Sequence, residues 1–201
     1  MNVSANAAYA AVRQRLARNT ALLRPWRGAA YRVTTLDYPT PEDILLGQGS
    51  YLHGGRWNAI RSFRAVYGST SDVVAVAESR ANAEYAGINM PLRTPRLLVT
   101  VELNLDAVVD LTQSDTLQTL RLTSEELRHE DWRKVQAQGL ESFTQAIGRA
   151  IFDAGANGLL ALSARVDGGA NVVYFPQNRR RESEANVCEP EKLHRIQSVP
   201  K

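Results

Sequence analysis

The segment NGLLALSARVDGGANVVYFP, residues 157–176, restricts the possible folds more than any other part of the chain. It reads as two apolar strands, Gly158–Ala164 and Asn171–Phe175, joined by a Gly-Gly loop. Upstream, AYRVTT (30–35), FRAVYGS (63–69) and RLLVTVELNL (from Arg96) carry strand patterns, and AVVDLT suggests another short strand. Helical patterns fall between them. TPEDILL has Thr40 as N-cap and Pro41 at the first helical position, and SDVVAVAESRANAEYAG is capped by Ser71 and stopped at Gly87. TSEELRHEDWRKVQAQG opens on a capping box, Thr123 to Glu126, and reads as one helix; ESFTQAIGRAIFDAG has helical spacing through Phe143, Ile147 and Ile151 and ends at Gly155. Strands and helices are mixed without regular strand-helix-strand alternation, so the expected class is α+β rather than a doubly wound parallel sheet.

No Pro/Gly/Ser-rich or strongly charged run divides the 201 residues, which favours one domain (30–201) preceded by a helical extension (1–29). Within that extension the spacing of Tyr9, Val12 and Leu16 predicts an amphipathic helix. The opening MNVSANAAYAAVRQRLARNT lacks the apolar core of a secretory signal, and no apolar run approaches the roughly 18 residues of a membrane span. A cytoplasmic protein with no membrane partner is therefore expected. The single cysteine, Cys188, excludes an internal disulfide. The histidines, His53, His129 and His194, lie far apart with no cysteine or acid at ligand spacing, so no metal is expected.

The candidate chemistry begins at GQGSYLHGGRWN, residues 47–58, which fits neither a helix nor a strand pattern. It is not a P-loop, for no lysine lies near it, and Leu52 occupies the third glycine position of a dinucleotide fingerprint. What remains is Gly54-Gly55-Arg56-Trp57: glycines that let backbone approach closely, and an arginine fork suited to phosphate or carboxylate. A turn with a packed tryptophan and a surface arginine is the alternative reading. A Ser-His-Asp hydrolase finds no G-x-S-x-G. A nucleic-acid-binding module could use Arg179–Arg181 with Arg61 and Arg64, although acids such as Glu182 and Glu184 interrupt that charge and the net charge is only +3.

Beyond Arg56, Tyr67 and Glu78 follow at successive intervals of eleven residues, and Ser163 and Asn171 lie near strand ends. In order, GQGS, GGRWN, VYGSTS, the AE of VAES, and Ser163 before GGANVVYF resemble the RES-domain family, the toxin half of bacterial RES-Xre toxin-antitoxin pairs. The similarity runs from Tyr31 to Asn178. It implies an ADP-ribosyltransferase-like fold, mixed or antiparallel sheets flanked by helices, that consumes NAD+ as substrate without a further cofactor, either by degrading it or by transferring ADP-ribose to a protein. By motif position Arg56, Glu78 and Ser163 become the catalytic set. Tyr67, Gly54, Gly55, Asn171 and Arg32 join Arg56 in holding NAD+, Arg32 with a supporting structural role as the alternative. Glu84 is a second carboxylate on the same predicted helix, six residues on, and would face elsewhere. An Xre-like antitoxin is the implied partner.

Overall fold

The computed structural model describes residues 4–38, 40–85 and 96–197, with side chains through Leu193. In chain order the elements are α1 (Ala8–Arg18), β1 (Leu23–Thr35), α2 (Pro41–Leu46), α3 (Gln48–His53), β2 (Val66–Ser69), α4 (Asp72–Tyr85) and β3 (Arg96–Asp110). Four short-to-medium helices follow, α5 (Ser114–Leu120), α6 (Ser124–His129), α7 (Trp132–Ala137) and α8 (Phe143–Asp153). The chain then forms β4 (Gly158–Leu162), β5 (Ala170–Tyr174), β6 (Glu184–Val187) and α9 (Pro190–Gln197). The expected α+β class is observed. The helix stop expected at Gly87 lies outside the described residues, as does the side chain of His194.

The sheet order is β1-β2-β5-β4-β3-β6, and β1 also pairs with β3. The pairings β1–β2, β2–β5, β5–β4, β4–β3 and β3–β1 thus close a ring, and β6 lies outside it against β3. All pairs are antiparallel except β3–β4. Along β3 the residues Val99, Val101, Leu103 and Leu105 alternate into one apolar cluster with Ala30, Val66 and Val172. The opposite cluster joins Val109, Leu159 and Val173 to Val12 and Leu16 of α1 and to Ile147 and Ile151 of α8. Each fully buried aliphatic side chain there contributes about 1.5–3 kcal/mol relative to exposure.

Several boundaries differ from the expectation, each for a local reason. AVVDLT is not a separate strand, because β3 runs through it unbroken. Its partner changes from β6 (101–104) to β4 (108–110), and between them the Asp106 N–H donates to Ser183 Oγ and the Ala107 N–H to Asn157 Oδ1. Side chains fill the gap that would otherwise have ended the strand. The single helix expected over 123–139 breaks into α6 and α7, because Glu130 is extended (φ −63°, ψ 128°) and spends its carboxylate on the first N–H groups of α8. Residues 23–29, assigned from sequence to the extension, form the first part of β1. α1 is held to α8 by the Tyr9 hydroxyl on Asp153 (2.8 Å) and by the Tyr9 ring against the Arg149 guanidinium (3.6 Å).

α8 also carries the wall on which the glycine-rich segment rests. A Cβ on Gly148 would lie 1.9 Å from the Trp57 carbonyl oxygen and 2.7 Å from its carbon. Alanine gains about 1 kcal/mol over glycine in helix propensity. Forcing backbone away in a filled core costs about 1–3 kcal/mol or more, so the clash outweighs that gain. Gly148→Ala is therefore expected to lower the urea midpoint, with a stability loss of about 1–2 kcal/mol; a variant as stable as the wild type would mean that helix and loop are not so tightly apposed.

Candidate active site

Residues 47–58 fold into a tightly bonded bracket, not an open loop. Contrary to the sequence expectation they contain a short helix, α3, which starts after the left-handed Gly47 (φ 68°) and ends at Gly54 (φ 75°). Ser50 Oγ donates to the Ala65 carbonyl (2.6 Å) and accepts from its N–H (2.9 Å). The buried Asn58 amide donates to the carbonyls of Ser50 (2.9 Å) and Phe63 (3.1 Å). Its Oδ1 accepts the Tyr67 hydroxyl at 2.7 Å, and that hydroxyl accepts the Trp57 N–H at 2.9 Å. Gly54 and Gly55 line the cleft, yet the space beside them is filled by the protein itself. A Cβ on Gly55 would sit 2.3 Å from the Tyr67 hydroxyl and one on Gly54 2.1 Å from Gln136 Oε1. Their smallness lets the bracket close over these two side chains.

The cleft has a volume of about 390 Å³ and is walled by β1, β2, α4, α7 and the bracket. It gathers the sequence candidates Arg32, Arg56, Tyr67, Glu78 and Asn171. Glu78 Oε1 accepts from Ser163 Oγ (2.7 Å) and Asn171 Nδ2 (3.0 Å), while Oε2 accepts no hydrogen bond among the described residues. Asn171 is itself oriented by Ser69 Oγ on its Oδ1 (2.7 Å). Ser163 is 1% exposed and does not reach the cleft; its hydroxyl also accepts the N–H groups of Arg165 and Val166. It therefore positions Glu78 from behind. Glu84 is exposed and absent from the cleft wall, which separates the two carboxylates of α4.

Arg56 places Nη1 on the carbonyls of Leu127 (3.0 Å) and Glu130 (3.2 Å), at the break between α6 and α7. Its Nε and Nη2 have no partner among the described residues, so the other edge of the fork is free. Burial lowers its pKa, with Glu78 the main opposing influence. Arg32 donates Nη1 to the Tyr67 carbonyl (2.7 Å), and its Nε is buried without a partner among the described residues. Desolvation lowers its pKa as well. Tyr67 offers the cleft its ring, its hydroxyl being committed to the bracket.

Sequence reasoning passed over Arg96, Trp132, Arg133 and Arg165, which also line the cleft. Arg96 opens β3 with a buried Nε that has no partner among the described residues. Arg133 is held by Asn82 Oδ1 and lies 4.6 Å from the Tyr85 ring and 4.3 Å from the Trp132 ring. Five arginines thus share the cleft with Glu78, the one carboxylate among the lining residues. Taking cations from water without counter-charges is costly, so the arrangement favours an anionic ligand. Among the described residues no group of histidines, cysteines and acids could hold a metal ion, and no helix is long and apolar enough to cross a membrane. Of the Arg179–Arg181 run, Arg179 and Arg180 bind the carbonyls of Ser183 and Gly155.

The pattern of the RES domain matches residues 29–195. The chain belongs to the RES domain family. Relatives of this RES protein include the NAD(+) phosphorylase MbcT of Mycobacterium bovis and that of Mycobacterium tuberculosis, each 29% identical over 116 residues. The alignment covers 57% of the chain, which spans 60% of the length of these relatives. The fold is that of a chain in the crystal structure of the M. tuberculosis MbcT-MbcA toxin-antitoxin complex. The TM-score is 0.62 at 22% identity, over 94% of this RES chain and 98% of that one.

Tyr67 provides a test of the bracket. Burial pushes its hydroxyl well above the ordinary value of 10.0, only partly opposed by the Trp57 N–H and the nearby Arg56 charge. Because the folded pKa is raised, the stabilisation is fully present below pH 10 and is lost as pH climbs beyond it. Tyr67→Phe strands a buried donor and acceptor and is expected to cost about 1–3 kcal/mol near neutrality. In alkaline denaturation the stability gap to wild type should narrow above pH 10; a gap independent of pH would show that the hydroxyl is not held as described.

Proposed function

We propose that this RES domain cleaves the nicotinamide-ribose bond of NAD+, with inorganic phosphate as acceptor, and that the protein is the toxin of a toxin-antitoxin pair acting in the cytoplasm. The observation that carries the reading is Glu78, a carboxylate fixed through one oxygen by Ser163 and Asn171 with its second oxygen free among the described residues, in a cleft whose other charged lining groups are guanidiniums. The name of the MbcT relatives, NAD(+) phosphorylase, supports the choice of acceptor, and the complex in which the MbcT fold was solved supports the pairing.

Bond cleavage develops positive charge on the ribose ring and its anomeric carbon. A carboxylate close by stabilises that charge, and nicotinamide departs without needing a proton. In this reading Glu78 faces the ribose, and its free Oε2 holds a hydroxyl or the developing cation. The unused edge of Arg56 binds the diphosphate, with Arg32 adding charge from β1. The Tyr67 ring supports the nicotinamide end by stacking. NAD+ enters as substrate, and these roles require no further cofactor.

Glu78→Gln separates charge from shape, because the amide oxygen still accepts from Ser163 and Asn171. Nicotinamide release, followed by chromatography, should fall at least about 100-fold while NAD+ still binds. Glu84→Gln is the control and should match the wild type. Loss of activity in the Glu84 variant alone would place the reaction elsewhere on α4. Wild-type protein that releases no nicotinamide would end the enzymatic reading.

The antitoxin is proposed to be a small helical protein of the Xre type that covers the cleft. Co-expressed with this chain, it should co-purify and restore growth; independent purification with persistent growth arrest would remove the pairing.

A further inference from the structure

The cleft holds more positive charge than a dinucleotide diphosphate calls for, with five arginines against one carboxylate among its lining residues. Arg32, Arg56 and Arg96 lie toward β1, β3 and the bracket. Arg133 belongs to α7 and Arg165 to the loop after Ser163, and both line the same cleft as Glu78. Arg165 follows Ser163 by two residues, and its N–H donates to Ser163 Oγ at 3.0 Å. That oxygen is the one that donates to Glu78, so a single hydroxyl fixes both the carboxylate and the root of the arginine. The Arg165 side chain is exposed and has no hydrogen bond or ion pair among the described residues. The acid of its own loop, Asp167, is taken by Arg128 at 2.7 Å.

Arg133 approaches from α7 and is held rigidly. Tyr85 and Trp132 flank its guanidinium and Asn82 takes Nη2, which leaves Nε and Nη1 without partners among the described residues. Burial lowers its pKa, Arg165 pushes the same way, and Tyr85, Asp131 and Glu78 oppose. Two cations thus repel one another in a cleft that Glu78 also lines. Such an arrangement is stabilised when an anion enters between them.

Resting on the NAD+-cleaving reading, we infer that Arg133 and Arg165 form the subsite for the acceptor phosphate, distinct from the guanidiniums that hold the dinucleotide. Hydrogen phosphate bound there brings an oxygen to the anomeric carbon of the nicotinamide ribose. The new C–O bond forms as the C–N bond breaks, and its electron pair leaves on the nicotinamide nitrogen. The phosphate keeps its proton, so the products are neutral nicotinamide and ADP-ribose 1-phosphate. Water carries no charge and gains nothing from two guanidiniums, so the subsite also selects phosphate over hydrolysis.

Initial rates of nicotinamide release by the full chain, with phosphate and NAD+ varied separately, test this. Arg165→Gln, whose side chain supports no other residue, should raise KM for phosphate about tenfold or more while KM for NAD+ stays within about twofold. Arg133→Gln should do the same, and Arg165→Lys should fall between wild type and Arg165→Gln, because lysine retains charge without the fork. A rise in KM for NAD+ alone would assign these arginines to the dinucleotide and overturn the inference. Unchanged constants in Arg165→Gln would make it a solvated surface arginine, with the same result, whether or not the Arg133 variant folds. Wild-type rates indifferent to phosphate would instead remove the acceptor from the proposed function, and the subsite with it.

Discussion

The Tyr67 hydroxyl is the interaction on which the cleft is built. It donates to Asn58 and accepts from the Trp57 backbone, and Asn58 in turn holds the carbonyls of Ser50 and Phe63. One buried oxygen thereby sets the path of the chain on both sides of Arg56. The path exists because position 55 has no side chain to collide with that oxygen and position 148 has none to collide with the Trp57 carbonyl. Close packing of backbone against helix and ring replaces the regular hydrogen-bond ladder that a strand or a long helix would have supplied.

Within this frame the fold bears an electrostatic load. The guanidiniums of Arg32 and Arg96 each keep a buried Nε without a partner among the described residues, and Arg56 and Arg133 are partly stripped of water. Unpaired buried donors cost about 1–3 kcal/mol each, more when charged, so gathering these guanidiniums is costly. An anion bound among them would offset that cost. The same logic explains why Glu78 is supported by neutral donors. Ser163 and Asn171 orient it without neutralising the charge that the proposed chemistry uses.

Much of this was legible in the order of motifs. Arg56, Tyr67 and Glu78 fall on the bracket, β2 and α4, three consecutive pieces of chain, and their ordered spacing was enough to group them with Ser163 and Asn171. The N-cap at Thr40 and the capping box at Thr123 were equally plain, because a cap is made by residues three apart. Arg96, Arg133 and Arg165 were not legible, since each looks like an ordinary surface arginine until β3, α7 and the β4–β5 loop converge. The same holds for Glu130, whose role in dividing α6 from α7 depends on the distant start of α8. Short α3 hid among glycines, and β3 was read as two strands because Ser183 and Asn157 bridge its change of partner. Sequence also had the two glycines clearing room for a ligand, where they clear room for Tyr67 and Gln136.

The ring of strands is closed unevenly. β1 and β3 are zipped along nearly their whole length, but β1 meets β2 at the single registered pair Tyr31↔Ser69. A closure of one rung is the weakest joint of the ring, for opening it breaks the fewest backbone bonds. Arg32 stitches that seam from the side, its guanidinium on the carbonyl of Tyr67 across the gap. A residue that lines the cleft is therefore also a fastening of its wall, so removing the Arg32 side chain would take from the ring one of the few bonds that close it.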